Sequence, residues 1–232
     1  MNLRGLMTYM RVLVAPRRAF SELESSPTWG WASLCGLGLT LAAVLLSQHA
    51  QLHMMALMEA QRMAAMPPGE RLREQLAAAQ VASMRQTFFV VGALVAPWLV
   101  WLLIAIFFWI VALLGRGRPQ FRGAWVATLN SYAVYGVAGV VNATLVALTD
   151  PSTISQPADL VRLPSPAWLA PHSPQLAAFL TAYSLGAVWY YLVVVIALEA
   201  ILRMPRKAAI SATVAYSLLF GILAAFGGTS DH

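Results

Sequence analysis

Residues 87–114 read TFFVVGALVAPWLVWLLIAIFFWIVALL, an apolar run without one charged side chain. At 1.5 Å per residue a helix of this length reaches roughly 40 Å, against a bilayer hydrocarbon core of about 30 Å. The run is therefore expected to cross a membrane, with tilt, protrusion or a kink taking up the excess. Pro97 is the expected kink. No soluble core of ordinary size needs such a segment, so it decides the fold class.

Four further runs lie on either side. Residues 29–47 open with Trp29 and Trp31 and contain no charge. Gly30, Ser33, Gly36 and Gly38 leave one side small, which suits close helix packing. Residues 124–148 form the most polar run, with Thr128, Asn130, Ser131, Asn142 and Thr144. Residues 175–202 follow Ser173 as N-cap and Pro174 in the first turn. Residues 208–226 come after Pro205 and end at Gly227 and Gly228. The expectation is an all-α, polytopic membrane bundle of five transmembrane helices.

Composition agrees: 59% of the residues are hydrophobic and 10% charged, with a mean hydropathy of +0.68. A soluble domain carries about 25% charged residues, so a soluble enzyme and a disordered regulator are both excluded. The net charge is +6 and Lys207 is the only lysine. The arginines sit in short clusters beside apolar runs, where they anchor spans and meet anionic lipid, and no aromatic and basic stripe suits nucleic acid. Arginine in place of lysine, with abundant alanine, points to a GC-rich genome and so to a bacterial inner membrane. Cys35 is alone within an apolar run and excludes a disulfide framework.

With the N-terminus on the cytoplasmic side, ten Lys and Arg residues fall inside and five outside. The positive-inside rule thus predicts a cytoplasmic N-terminus and an extracytoplasmic C-terminus. Residues 1–28 form a cytoplasmic segment in which Leu3, Leu6, Met7, Met10 and Val14 recur at helical spacing. That pattern predicts an amphipathic helix on the membrane surface, with Pro16 ending it or starting the next helix. The connector 48–86 is expected to be helical, divided at Pro67 and Pro68, with Leu72, Leu76, Ala79 and Ser83 forming an apolar face before the second span. Residues 149–175 hold Pro151, Pro157, Pro164, Pro166, Pro171 and Pro174, and are expected to be an irregular loop.

Three constellations bear on chemistry. His49 and His53 stand four apart, followed by Met54, Met55, Met58, Met63 and Met66. Such a pair could share copper or zinc, but a site needs further ligands, and methionine commonly fills irregular apolar contacts. The first reading is packing of a helix extension. Glu199, the one acid inside a span, is expected to pair with Arg203 one turn on. A role in proton coupling is the alternative. Asn130, Ser131 and Tyr135, with Thr128 and Tyr132 beside them and Tyr190 and Tyr191 on the fourth span, form either interhelical hydrogen bonds or a small polar pocket with Glu199. Asn142-Ala143-Thr144 fits the glycosylation pattern but lies within a span. The sequence holds no Walker loop, nucleophile elbow or paired intramembrane aspartates, so neither an enzyme nor a bound cofactor is expected.

Several short motifs occur in an order that resembles one family. Val14-Ala15-Pro16-Arg17-Arg18-Ala19-Phe20, ahead of the first span, is similar to the Pro-x-x-x-Phe opening of the Yip-one (Ypt-interacting protein) domain family. Gly117 to Phe121 resembles its Gly-x-x-x-Phe element, and Asn130-Ser131-Tyr132-Ala133 the polar and aromatic stretch that follows. Leu185 to Leu198, with Trp189-Tyr190-Tyr191, is similar to its fourth span, and Lys207-Ala208-Ala209 to the start of its last. The resemblance covers roughly residues 10–226. It implies a five-helix bundle with a cytoplasmic N-terminus and no cofactor. Eukaryotic relatives act in vesicle traffic and bind Rab-type GTPases, a partner that nothing in this short N-terminal segment carries over. The long, methionine-rich connector 48–86 departs from a compact member.

These readings converge on a non-enzymatic scaffold or adaptor. Arg11, Arg17, Arg18, Phe20, Arg116, Arg118, Arg122, Arg203 and Arg206 are the candidate contacts for anionic lipid, another membrane protein or a second copy. A solute path along the third and fourth spans is the rival, and metal binding at His49 and His53 the third reading.

Overall fold

Pro16 cannot continue a helix but suits the first turn of one, because its missing N–H would be unpaired there in any case. The computed structural model places it so. It describes residues 3–67, 91–92, 94–155, 157–170 and 172–227. Helix α1 (Leu3–Val12) ends just before Pro16, and α2 (Pro16–Ser25) begins on it. The two form a hairpin. One side of α1 buries Gly5, Thr8, Tyr9 and Val12. The other leaves Leu3, Met7 and Met10 exposed and Leu6 half-buried, and Val14 just beyond the helix is exposed as well, the apolar stripe that the helical spacing predicts.

Helix α3 (Gly30–Ala65) runs 36 residues, about 54 Å at the helical rise. The first span and the start of its connector are thus one continuous helix. It stops at Met66, whose ψ of 149° is extended, as expected of a residue before a proline. Helix α4 (Leu94–Leu114) is the most apolar of the spans. Residues on both sides of Pro97 are helical, and Pro97 itself is buried. The expected apolar face of residues 72–83, and the entry of the connector into the second span, lie outside the described residues.

Helix α5 (Phe121–Ala147) is the central post. Its buried residues, from Ala124 to Val146, are spread over much of its circumference, and it packs chiefly on α3 and on α7 (Leu185–Ala200). Small side chains permit this. A Cβ on Gly136 would stand 2.9 Å from a Leu39 methyl, and one on Gly186 would overlap Ala138 Cβ. Helix α8 (Arg206–Gly227) closes the bundle.

The fourth span is not one straight helix. Helix α6 (Pro174–Thr181) meets α7 at a bend of 48°. Ser173 caps α6 through the Leu176 amide, as its position predicts. The break has a local cause. The Leu185 N–H is taken by Pro164 O at 2.8 Å, so the helical ladder is interrupted there. Among the described residues four helices are long and apolar enough to cross a membrane, and the α6–α7 pair makes a fifth crossing if counted as one. No strand occurs among the described residues.

The proline-rich segment after α5 is more ordered than its composition predicts. Prolines begin three short 3-10 turns, at Pro151–Thr153, Pro157–Leu160 and Pro166–Leu169. Asn142 on α5 holds the segment down. Its amide donates to Leu160 O at 2.8 Å, and its Oδ1 accepts from the Arg162 and Leu163 amides at 2.7 and 3.1 Å. Ile154 then packs with Ala50 and Met54 of α3 and Val146 of α5. The beginning of the connector therefore lies against the bundle.

One core cluster runs from the hairpin through the helices. Tyr9, Phe20, Leu23, Trp101, Phe108, Leu129, Leu198 and Leu202 are all almost fully buried. The outward sides of α4, α7 and α8 instead expose Leu99, Leu103, Leu192, Val214, Leu218 and Leu223. An apolar belt of this kind suits hydrocarbon rather than water.

Candidate functional site

Two features stand out: a basic surface at the α1–α2 end and a cavity in the opposite half of the bundle. The basic surface forms where three segments meet. The loop 115–120 joins the turn after α7 through the Arg118 amide, which donates to Leu202 O at 2.6 Å. Close approach there needs small residues: a Cβ on Gly117 would stand 2.7 Å from Met204 Cγ and 2.8 Å from Leu202 O. Arg116 (φ 58°) and Arg203 (φ 48°) both take the left-handed backbone, rare for residues with a Cβ.

Acidic residues consume part of the positive charge. Arg11 Nη1 donates to both carboxylate oxygens of Glu22, at 2.8 and 3.0 Å, tying α1 to α2. Arg18 stands 3.6 Å from the same carboxylate. Arg203 Nε donates to Glu24 at 2.5 Å and fastens α2 to the end of α7. The expected Glu199–Arg203 pair does not form. Helix α7 ends at Ala200, and the left-handed turn at Arg203 directs its side chain to Glu24. Glu199 approaches Arg206 only to 3.8 Å, and its Oε1 is buried without a hydrogen bond among the described residues.

The side chains of Arg17, Arg116, Arg118, Arg122 and Lys207 remain. All are exposed, and none meets a carboxylate among the described residues. Phe20 does not belong with them. It is fully buried in the core, so it anchors the hairpin rather than touching lipid or a partner. Tyr9 is a second anchor. Its hydroxyl is buried with no partner among the described residues, and burial raises its pKa.

The cavity, about 570 Å³, is bounded by α3, α4, α5, α7 and α8. Tyr132, Tyr135, Tyr190, Tyr191 and Tyr216 face it, with Trp101 and Phe220. The rings interlock: Tyr135 to Tyr190 is 5.5 Å between centroids, and Trp101 to Tyr132 is 5.2 Å. The hydroxyls are largely satisfied within the wall. Tyr132 pairs with Thr40 at 3.0 Å, Tyr190 with Tyr216 at 3.4 Å, and Tyr191 donates to Ala182 O at 3.0 Å.

The expected polar pocket is thus split. Tyr135 and Tyr190 line the cavity, whereas Asn130, Ser131 and Glu199 do not. Asn130 lies two residues from Tyr132, roughly 200° around a helix. Its amide donates instead to Thr28 O at 3.2 Å, in the linker between α2 and α3, and to Val126 O at 3.0 Å. Ser131 Oγ is buried without a partner among the described residues, and Thr128 bonds back to Ala124 O. Trp101, Thr40, Gln51 and Tyr216 were missed as lining residues. A signal was present: tyrosines in mid-span rather than at the membrane interface, where they usually gather.

His49 is exposed and His53 half-buried on α3. No group of three His, Cys, Asp or Glu residues able to hold a metal occurs among the described residues.

Among the described residues, an all-helical bundle of four long apolar helices and one bent helix pair, with a hairpin docked on one end, defines a polytopic membrane protein. The Yip1 domain family model matches residues 10–228, and the chain belongs to that family. Comparison with characterised proteins and with solved structures yields no match.

Proposed function

We propose that this protein is a non-enzymatic membrane scaffold of a bacterial inner membrane, acting as an adaptor for another membrane protein through its basic face. The observation that carries the reading is the division of labour among the arginines. Arg11 and Arg203 are spent on holding the hairpin, while Arg17, Arg116, Arg118, Arg122 and Lys207 meet no acidic partner among the described residues. Guanidinium groups suit bidentate contact with an acidic segment, against a cost of about 0.5–1.5 kcal/mol for each side chain immobilised. The bias of ten basic residues to five supports putting this face in the cytoplasm.

A solute path is less well supported, since Asn130, Ser131 and Glu199 lie outside the cavity. The test is crosslinking in native membranes followed by mass spectrometry, comparing wild type with Arg17→Gln/Arg116→Gln/Arg122→Gln. A stoichiometric protein lost from the variant is the expected result. The same proteins recovered from both, or anionic lipid alone enriched on the wild type, would refute the adaptor reading.

A further inference from the structure

The tyrosine-lined cavity has a definite depth in the bundle. Thr40, Ile104, Tyr132 and Tyr216 lie ten or eleven residues from the ends of their helices that face the hairpin. At the helical rise that is about 15 Å, the midpoint of a hydrocarbon core of about 30 Å. They form its floor. Beneath it Phe108, Leu129 and Leu198 are fully buried, so the cavity ends blindly. Its far end is marked by Gln51, 21 residues along α3, or about 31 Å from the helix start. The cavity therefore occupies one leaflet's depth, on the side that carries the proline-rich segment.

We propose that this cavity holds one acyl chain of a phospholipid drawn from that leaflet. Its volume of about 570 Å³ falls within the range of ligand sites, roughly 300–1,000 Å³. Its walls are overwhelmingly apolar, and most wall hydroxyls are bonded to one another or to backbone. Trp101 Nε1 is the one buried wall atom with no partner among the described residues, so little polar demand remains for water or for a hydrophilic solute. An apolar void of this size forfeits dispersion contacts that a hydrocarbon chain restores. The polar end is also placed for a lipid. Gln51 donates to Ser47 Oγ at 2.7 Å, and its carbonyl oxygen accepts nothing among the described residues. A headgroup or ester at the membrane surface would meet it there.

The proposal is tested with the full-length protein in nanodiscs containing a phosphatidylethanolamine that carries a diazirine at mid-chain. After irradiation, labelled residues are mapped by mass spectrometry. Labelling concentrated on Trp101 and Tyr132 is expected, lost in Val44→Phe/Val100→Phe and retained in Leu103→Trp, which alters only the exposed belt. Should the double variant fail to fold, the wild-type map still decides. Labelling of Trp101 and Tyr132 no stronger than that of Leu103 and Leu218 would overturn the proposal. So would labelling unchanged by the folded double variant.

Discussion

Glu24, in the last turn of α2, is joined to Arg203 just beyond α7 by an ion pair of 2.5 Å that bridges 179 positions of sequence. It ties the N-terminal hairpin to the turn between α7 and α8. Both side chains are partly exposed, 33% and 57%. Its contribution is therefore of the order of an exposed pair, about 0.2–1 kcal/mol. Glu24→Gln should lower thermal stability slightly and do so less in high salt. Phe20→Ala, at a fully buried site, should cost about 3–5 kcal/mol. Melting of both variants in detergent, at low and high salt, checks the contrast.

The two left-handed arginines should respond differently to glycine. Arg116 makes no side-chain pair among the described residues, so Arg116→Gly relieves the backbone and should stabilise by about 1 kcal/mol. Arg203→Gly relieves the same strain but loses Glu24, and should be near neutral. Gly117→Ala should destabilise, because the added methyl meets Leu202 O and Met204 Cγ at under 3 Å. Chemical unfolding of the three variants would order them.

Asn142→Ala should release the proline-rich segment. It leaves the Leu160 carbonyl and the amides of Arg162 and Leu163 without their partner, at about 1–3 kcal/mol for a buried group left unpaired. Limited proteolysis should then cut residues 149–173 in the variant and spare them in wild type.

Asp150 begins that segment, and the Ser152 amide, bonded to its Oδ1 at 2.9 Å, holds its carboxyl below the ordinary carboxylate range, with His53 adding in the same direction. A lowered folded-state pKa means the unfolded chain takes up the proton first. The cap therefore stabilises the turn above the ordinary Asp value, near 3.9, and the contribution fades as pH falls through the lowered value. Proteolysis of the segment by an acid-stable protease should rise below about pH 4 in wild type and show no such rise in Asp150→Asn.

Legibility followed the range of the physics. The apolar runs, Pro16 as a helix start and Ser173 as a cap depend on neighbours within a turn, and each stood where its local chemistry put it. The surface stripe of Leu3, Met7, Met10 and Val14 was equally readable. Helical spacing could not show that Phe20 turns inward, nor that Asn130 faces the linker while Tyr132 faces the cavity. These depend on which side of each helix meets which neighbour.

By itself, the sequence determined that this chain is an all-α membrane protein, because the cost of placing peptide groups in hydrocarbon leaves an apolar run of that length little choice but a helix. The order of its motifs pointed to the family that the match over residues 10–228 establishes. Only the tertiary structure decided that Arg203 serves Glu24 rather than Glu199, that the fourth span breaks at Leu185, and that tyrosines of three helices enclose one cavity. Each of these is a contact between segments distant in sequence. Helix packing selects among many such pairings by shape and by the satisfaction of buried polar groups, and neither is written in any local pattern.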